Sequence, residues 1–264
     1  MPYVANPLAR VTPASERLWE VDWLRGVAIV LVVYYHLMFD LQHFRLLDIA
    51  WEHRIWNIQA KAIKSMFLFL AGVGLQLSVT AARSRESAQT QLFWRYAKRG
   101  GAIFAIAMLI TLATSIALPR GTIHFGILHA IGASLIITYP LLRFGYWLLP
   151  AGLALIALAF VLVDYRMDGY WLLWLGVLPH EYWTVDYAPL IPNLGVVFLG
   201  VCAARWAWSG NVRRLALRTQ PGYRVNALLC LLGRHTLAIY LLHQPLLFGF
   251  FYLLDLLTIV QLYA

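Results

Sequence analysis

Seven stretches of this chain stay apolar for roughly the 20 residues that a helix needs to cross a bilayer: 21–41, 63–82, 100–118, 125–144, 147–164, 188–207 and 235–258. The segments between them are too short to house a soluble domain. The pattern therefore predicts an all-α, polytopic integral membrane protein of about seven transmembrane helices, with one domain over residues 1–264. Between the first two stretches, Phe44, Leu47, Trp51, Ile55, Ile58 and Ala62 recur at steps of three and four, while Arg45, Asp48, Glu52 and His53 fall off that stripe. This spacing predicts an amphipathic helix lying in the membrane interface, anchored by Trp51 and Trp56. The first apolar run begins only after Glu20 and carries Asp22 and Arg25, so it reads as a retained span rather than a cleaved signal peptide.

Composition narrows the class. Of the 264 residues, 61% are hydrophobic and 12% charged, whereas soluble domains carry roughly 45–50% apolar and about 25% charged residues. The net charge of +9 does not point to nucleic acid, because the basic residues gather in two clusters between apolar runs, 83–99 and 205–224, rather than on one soluble face. With residues 1–20 placed in the cytoplasm, thirteen Lys and Arg lie on that side, against six (Arg45, Arg54, Lys61, Lys64, Arg120 and Arg166) on the other. The bias sets the N-terminus inside and the C-terminus outside. Cys202 and Cys230 fall near the cytoplasmic side, where thiols stay reduced, and read as packing residues.

Ionisable residues inside spans are costly and are the candidates for chemistry. Asp22 and Arg25 are one turn apart near the inner end of the first span, where they pair or snorkel. Arg25 and His36 are eleven positions apart, a helical rise of about 16 Å, and lie on nearly the same face. His36 and Asp40 are at i and i+4, the spacing at which a carboxylate can hold one imidazole nitrogen and leave the other as a base. His124 and His129 lie at the outer end of the fourth span and His243 deep in the last. Their spacing matches no zinc motif, so no metal is expected. His43, His53 and His180 fall in outer loops, and His235 adjoins Arg234 at the inner interface. The glycine runs Ala71–Gly74 and Gly126–Ala130 read as close helix packing. No nucleophile elbow, phosphate-binding loop or dinucleotide fingerprint is present.

At Val21-Asp22-Trp23-Leu24-Arg25-Gly26, followed by Tyr35-His36-Leu37-Met38-Phe39-Asp40, the chain resembles bacterial members of the heparan-α-glucosaminide N-acetyltransferase catalytic-domain family. The resemblance continues at Phe67-Leu68-Phe69-Leu70-Ala71-Gly72, at Phe125-Gly126-Ile127-Leu128-His129-Ala130 and at Leu232-Gly233-Arg234-His235, and through Tyr240-Leu241-Leu242-His243-Gln244. The wider transmembrane acyltransferase superfamily carries an Arg, ten residues and a His in its first span, which Arg25 and His36 match. The resemblance implies transfer of an acyl group, most simply acetyl, from cytosolic acyl-CoA to a sugar-like hydroxyl or amine outside the cytoplasm, in a bacterial inner membrane. It implies His36 as the base and Arg25 as a contact for the donor's phosphates, and puts His129, Tyr240 and His243 in family blocks that would line the acyl-CoA tunnel or satisfy one another's hydrogen bonds. In the lysosomal enzymes of the family an Asn stands at the position of His36 and the catalytic His follows later, where this sequence offers His43. His36 is preferred over His43 because Asp40 is placed to orient it and the spacing to Arg25 fits the superfamily.

The sequence leaves a direct transfer and a route through an acyl-histidine equally open, and leaves the acceptor and the oligomeric state unassigned. A rival from another class is a transporter whose buried His and Asp form a proton relay. Against it, the chain has no internal repeat and no matching pair of Gly/Pro-interrupted spans. The topology has a direct test. On a background lacking Cys202 and Cys230, Lys98→Cys is expected to resist an impermeant thiol reagent in intact cells and to react after lysis; labelling in intact cells would invert the orientation.

Overall fold

The computed structural model of the chain describes residues 18–48, 54–83, 89–209, 212–213 and 224–257. Eight α-helices account for most of them: α1 Trp19–His43, α2 Arg54–Arg83, α3 Gln89–Ala117, α4 Ile127–Leu141, α5 Leu148–Leu162, α6 Leu190–Ala207, α7 Arg224–Arg234 and α8 Thr236–Leu256. Strands among the described residues are confined to two-residue pairings such as Arg166–Met167 beside Leu178–Pro179.

Six runs are long and apolar enough to cross a membrane, and one of them, 127–162, has 36 residues. A straight helix of that length would reach about 54 Å, well beyond a hydrocarbon core of about 30 Å. Gly145 breaks it, with φ at +63°, a conformation that side chains with a Cβ rarely adopt. The chain reverses there. The Ala188 N–H, just ahead of α6, donates to the Phe125 carbonyl just ahead of α4 at 2.9 Å, and Arg205 at the far end of α6 donates to the Leu142 carbonyl at the far end of α4 at 2.5 Å, so α4 and α6 run parallel. Gly145 lies beside Arg205 and Gly152 against Gly195, so α5 runs antiparallel to α6. The six runs therefore supply the seven expected membrane helices.

The described residues gather in two compact units. In the one holding residues 68–213, Leu75, Val79, Leu92, Tyr96, Leu135 and Val201 form a buried cluster, with the Ser78 and Tyr96 hydroxyls 2.8 Å apart at its edge. Gly72 meets the Val197 carbonyl and Gly200 the Phe69 carbonyl so closely that a Cβ at either would overlap it, which agrees with the packing role read from the sequence.

The other unit holds residues 18–67 and 224–257, and so α1, the first part of α2, α7 and α8. Helix α1 starts with Glu20 and Asp22 in its first turn and ends with His43 in its last, as the helix dipole favours. It packs backbone to backbone on α7: a Cβ at Gly26 would overlap the Leu229 carbonyl, and one at Gly233 the Asp22 carbonyl. Trp23 Nε1 donates to Asn226 Oδ1 at 3.0 Å, and Cys230 is buried beside the Trp19 carbonyl at 3.6 Å. The face of α7 turned to α1 thus carries Asn226, Leu229, Cys230 and Gly233, while Val225, Leu228 and Leu231 are exposed.

Two sequence expectations are corrected. The stripe between the first two spans is not a separate interfacial helix: Phe44 and Leu47 lie in the turn after α1, and Ile55, Ile58 and Ala62 form the opening turns of α2. With no proline from 54 to 83, helix propagation carries α2 through both segments. Trp51, Glu52 and His53 lie outside the described residues. Helix α7 was not expected, although Val225, Leu228, Leu229 and Leu232 stand at helical spacing, because its apolar residues are diluted by flanking charge.

The α1–α7 contact has a measurable consequence. Gly233→Ala should lower stability by about 2 kcal/mol or more, the order found for overpacking, whereas Gly249→Ala, with no atom within 4 Å of the added Cβ, should cost nothing. Thermal unfolding of both variants in detergent checks it; equal midpoints would show that α1 and α7 do not need this approach.

Candidate active site

Helix α1 is unbroken from Trp19 to His43. It therefore keeps Arg25 and His36 on nearly one face, about 16 Å apart along the axis. Near its far end the helix carries His36 and, one turn on, Asp40. His36 is partly exposed and Asp40 fully buried.

Helix α8 answers both residues. His36 Nδ1 lies 2.9 Å from the Val32 carbonyl and 3.2 Å from His243 Nε2, and the two rings meet edge to face with centroids 4.8 Å apart. His243 is buried, and its Nδ1 lies 2.7 Å from the Tyr240 carbonyl and 3.2 Å from that of Ile239. Asp40 Oδ1 accepts from Gln244 Nε2 at 2.9 Å. The expected clamp of Asp40 on His36 is therefore replaced by two separate pairings. Spacing at i and i+4 made the clamp available, but consecutive residues of α8 supply a partner to each side chain. Asp40 Oδ2 and Gln244 Oε1 are buried with no hydrogen-bond partner among the described residues.

A carbonyl only accepts hydrogen bonds, so the Val32 carbonyl requires a proton on His36 Nδ1. Neutral His36 then carries its lone pair on Nε2, the form that a general base needs. Tyr240 enters the site through its carbonyl. Its ring packs edge to face on Phe67, centroids 6.0 Å apart, and against His243 at 5.5 Å. His43, the alternative base, is exposed at the end of α1, stacked on Phe39 and tilted against Phe248.

At the other end of α1, the Asp22 side chain, 3% exposed, lies 3.8 Å from Arg25 and 3.6 Å from Arg234. The pairing expected for Asp22 is present, and it is shared: two guanidinium groups lie near its carboxylate, and the Glu20 carboxyl is buried two residues earlier on the same helix. Arg25 keeps 28% of its side chain exposed.

His129 belongs to the unit of residues 68–213. Its Nδ1 accepts from the Gly126 N–H at 3.1 Å, and its Nε2 meets the Thr111 hydroxyl at 3.2 Å, which itself donates to the Ile123 carbonyl at 2.6 Å. Both ring nitrogens are thus engaged in holding the start of α4, so His129 serves as a helix cap. Among the described residues no three His, Cys, Asp or Glu side chains gather so as to hold a metal ion. The sequence reading gave no role to Gln244 or the Val32 carbonyl. For Gln244 a signal existed, since two adjacent polar residues inside an apolar span are themselves unusual; for a backbone carbonyl there is none.

Compared with family models, residues 17–245 match the family described as heparan-alpha-glucosaminide N-acetyltransferase, catalytic. The match starts just ahead of α1 and ends just past Gln244, so it takes in Arg25, His36, Asp40, His43, His129, Tyr240, His243 and Gln244. No curated protein and no solved structure matches the chain.

Proposed function

The chain belongs to the heparan-α-glucosaminide N-acetyltransferase catalytic family, whose description is that of an acetyltransferase, and from that premise we propose that it moves an acetyl group from cytosolic acetyl-CoA to a sugar-like hydroxyl or amine outside the cytoplasm of a bacterium. The observation that carries this reading is the state of His36: partly exposed on a membrane helix, with Nδ1 tied to a carbonyl and the lone pair on Nε2, eleven positions from a partly exposed Arg25.

In this reading Nε2 of His36 takes the proton of the acceptor as its oxygen or nitrogen attacks the thioester carbonyl carbon. The C–S bond breaks as the carbonyl re-forms, and the imidazolium returns the proton to the departing thiolate, so the enzyme ends as it began. An acyl-histidine route would instead form a bond from Nε2 to the acyl carbon. Arg25 and Arg234, held in place by Asp22, carry the positive charge suited to the donor's phosphates, and Arg25 meets them as a fork of parallel donors. The N-terminal end of α1 would then face the cytoplasm, which is the orientation that the basic loops favour.

Two experiments test the assignment. In detergent-solubilised protein with labelled acetyl-CoA and a glucosamine-type acceptor, His36→Ala should lose about 10²-fold or more of turnover, the scale of general-base assistance, while still binding CoA; His43→Ala should stay near wild type. Loss in His43→Ala with normal turnover in His36→Ala would move the base to His43, and substrate flux in proteoliposomes without thioester turnover would point to the transporter instead. In a calorimetric titration, Arg25→Ala should weaken CoA by about tenfold or more, with Arg25→Lys only partly restoring it, as loss of a charge-assisted bidentate contact predicts. Unchanged CoA affinity in Arg25→Ala would remove Arg25 from the donor site.

A further inference from the structure

We infer that His243 is a positioning residue for acyl transfer, which fixes the tautomer of His36 through a chain that begins at a backbone carbonyl of α8. The inference rests on the reading of His36 as the base. It gives His243 a role distinct from both of those that the family resemblance implied, lining the acyl-CoA tunnel or exchanging hydrogen bonds with His129 and Tyr240.

The chain of reasoning is one of donors and acceptors. His243 Nδ1 faces two carbonyls, of Tyr240 at 2.7 Å and Ile239 at 3.2 Å, and carbonyls accept only, so Nδ1 bears the proton. Neutral His243 then presents the lone pair of Nε2, and that atom lies 3.2 Å from His36 Nδ1. The contact is satisfied only if His36 Nδ1 donates, which is also what the Val32 carbonyl at 2.9 Å requires. The Nδ1–H of His36 is thus shared between two acceptors from two helices, and reversing the tautomer of either ring would set a lone pair against a lone pair. His243 is itself buried, so its ring is not set by water.

The consequence for chemistry follows from charge. When His36 takes a proton on Nε2, its Nδ1–H becomes the donor of a charged group, and such hydrogen bonds are roughly twice as strong as neutral ones. His243 Nε2 is then the side-chain acceptor that meets the developing imidazolium. Asp40 instead accepts from Gln244 on α8. His243 touches neither acyl group nor acceptor in this scheme; it acts through His36.

The test compares an acceptor-preserving with an acceptor-deleting variant. His243→Gln places an amide oxygen where Nε2 was and should keep kcat within about threefold, whereas His243→Leu should lower kcat by about 10–100-fold, a part of the general-base effect, with the KM for acetyl-CoA nearly unchanged. Nitrogen NMR of histidine-labelled protein in detergent, with the His36 signals assigned by their loss in His36→Ala, supplies a readout independent of turnover. Nδ1 of His36 should be protonated in the wild type and in His243→Gln, and a population protonated on Nε2 should appear in His243→Leu. A merely structural His243 would lower the yield of folded protein without altering the tautomer in what remains. The inference is overturned if His243→Leu keeps the wild-type kcat and His36 spectrum, or if His243→Gln loses as much as His243→Leu. Should wild-type protein turn over no acetyl-CoA, the acyltransferase reading falls, and the spectra alone decide whether His243 sets the state of His36.

Discussion

Inside a bilayer a side chain has only the protein to bond with, and this constraint governs how α1 is held. A polar group taken from water without a compensating hydrogen bond costs roughly 2–7 kcal/mol, so the polar residues of α1 select its neighbours. Asp22 reaches Arg234 at the end of α7, His36 reaches His243, and Asp40 reaches Gln244 on α8. Between these polar contacts the helix has little to grip except shape. Gly26 and Gly233 supply it by letting the backbones of α1 and α7 meet. Packing in hydrocarbon gains nothing from apolar area alone, which is why small residues and polar pairs share the work.

The same constraint bears on the proposed chemistry. A base must be available in one protonation state and one orientation, and each of these is otherwise lost to solvent exchange and ring rotation. Here the Val32 and Tyr240 carbonyls, both parts of helix backbones that cannot move far, set the hydrogen positions on two adjacent rings. The His36–His243 contact can be made between two neutral rings, one donating and one accepting, without the desolvation that a buried ion pair would incur. Charged side chains gather where α1 begins, at Glu20, Asp22, Arg25 and Arg234, near the ends of their helices. The long axis of α1 thus separates a cluster of Arg and acidic side chains near its start from the hydrogen-bonded His36 and Asp40 near its end.

The unit of residues 68–213 follows the rule with different means. Its helices meet through glycines and a buried aromatic and aliphatic cluster, and its polar residues serve local geometry. His129 and Thr111 tie the start of α4, Asp186 Oδ2 accepts from the Ile127 N–H at 2.8 Å, and Arg205 holds both the Leu142 carbonyl and Gln76. The loop ahead of α6 is fastened by the Tyr187 hydroxyl, which donates to the Leu173 carbonyl at 2.8 Å. Burial raises the Tyr187 phenol above its usual range and Tyr182 to about 12, so both remain donors at any physiological pH.

The sequence by itself determined the class of this protein, its apolar membrane helices and the family, and it singled out Arg25, His36 and Asp40 of the first span as candidates, because these rest on hydropathy, helical period and local motif, all of which are properties of neighbouring positions. It also determined that Asp22 would be paired, since Arg25 is one turn away. The tertiary structure alone decided who partners whom over long separations: Asp40 with Gln244 rather than His36, His36 with His243, and Asp22 with Arg234, each some two hundred residues distant. It decided as well that His129 is a cap, because that depends on Thr111 in another helix, and that the stripe after His43 feeds a continuous α2. The physical reason is that a one-dimensional pattern fixes which face a residue occupies, whereas a hydrogen bond in hydrocarbon goes to whichever donor or acceptor the packed helices bring within 3 Å or so.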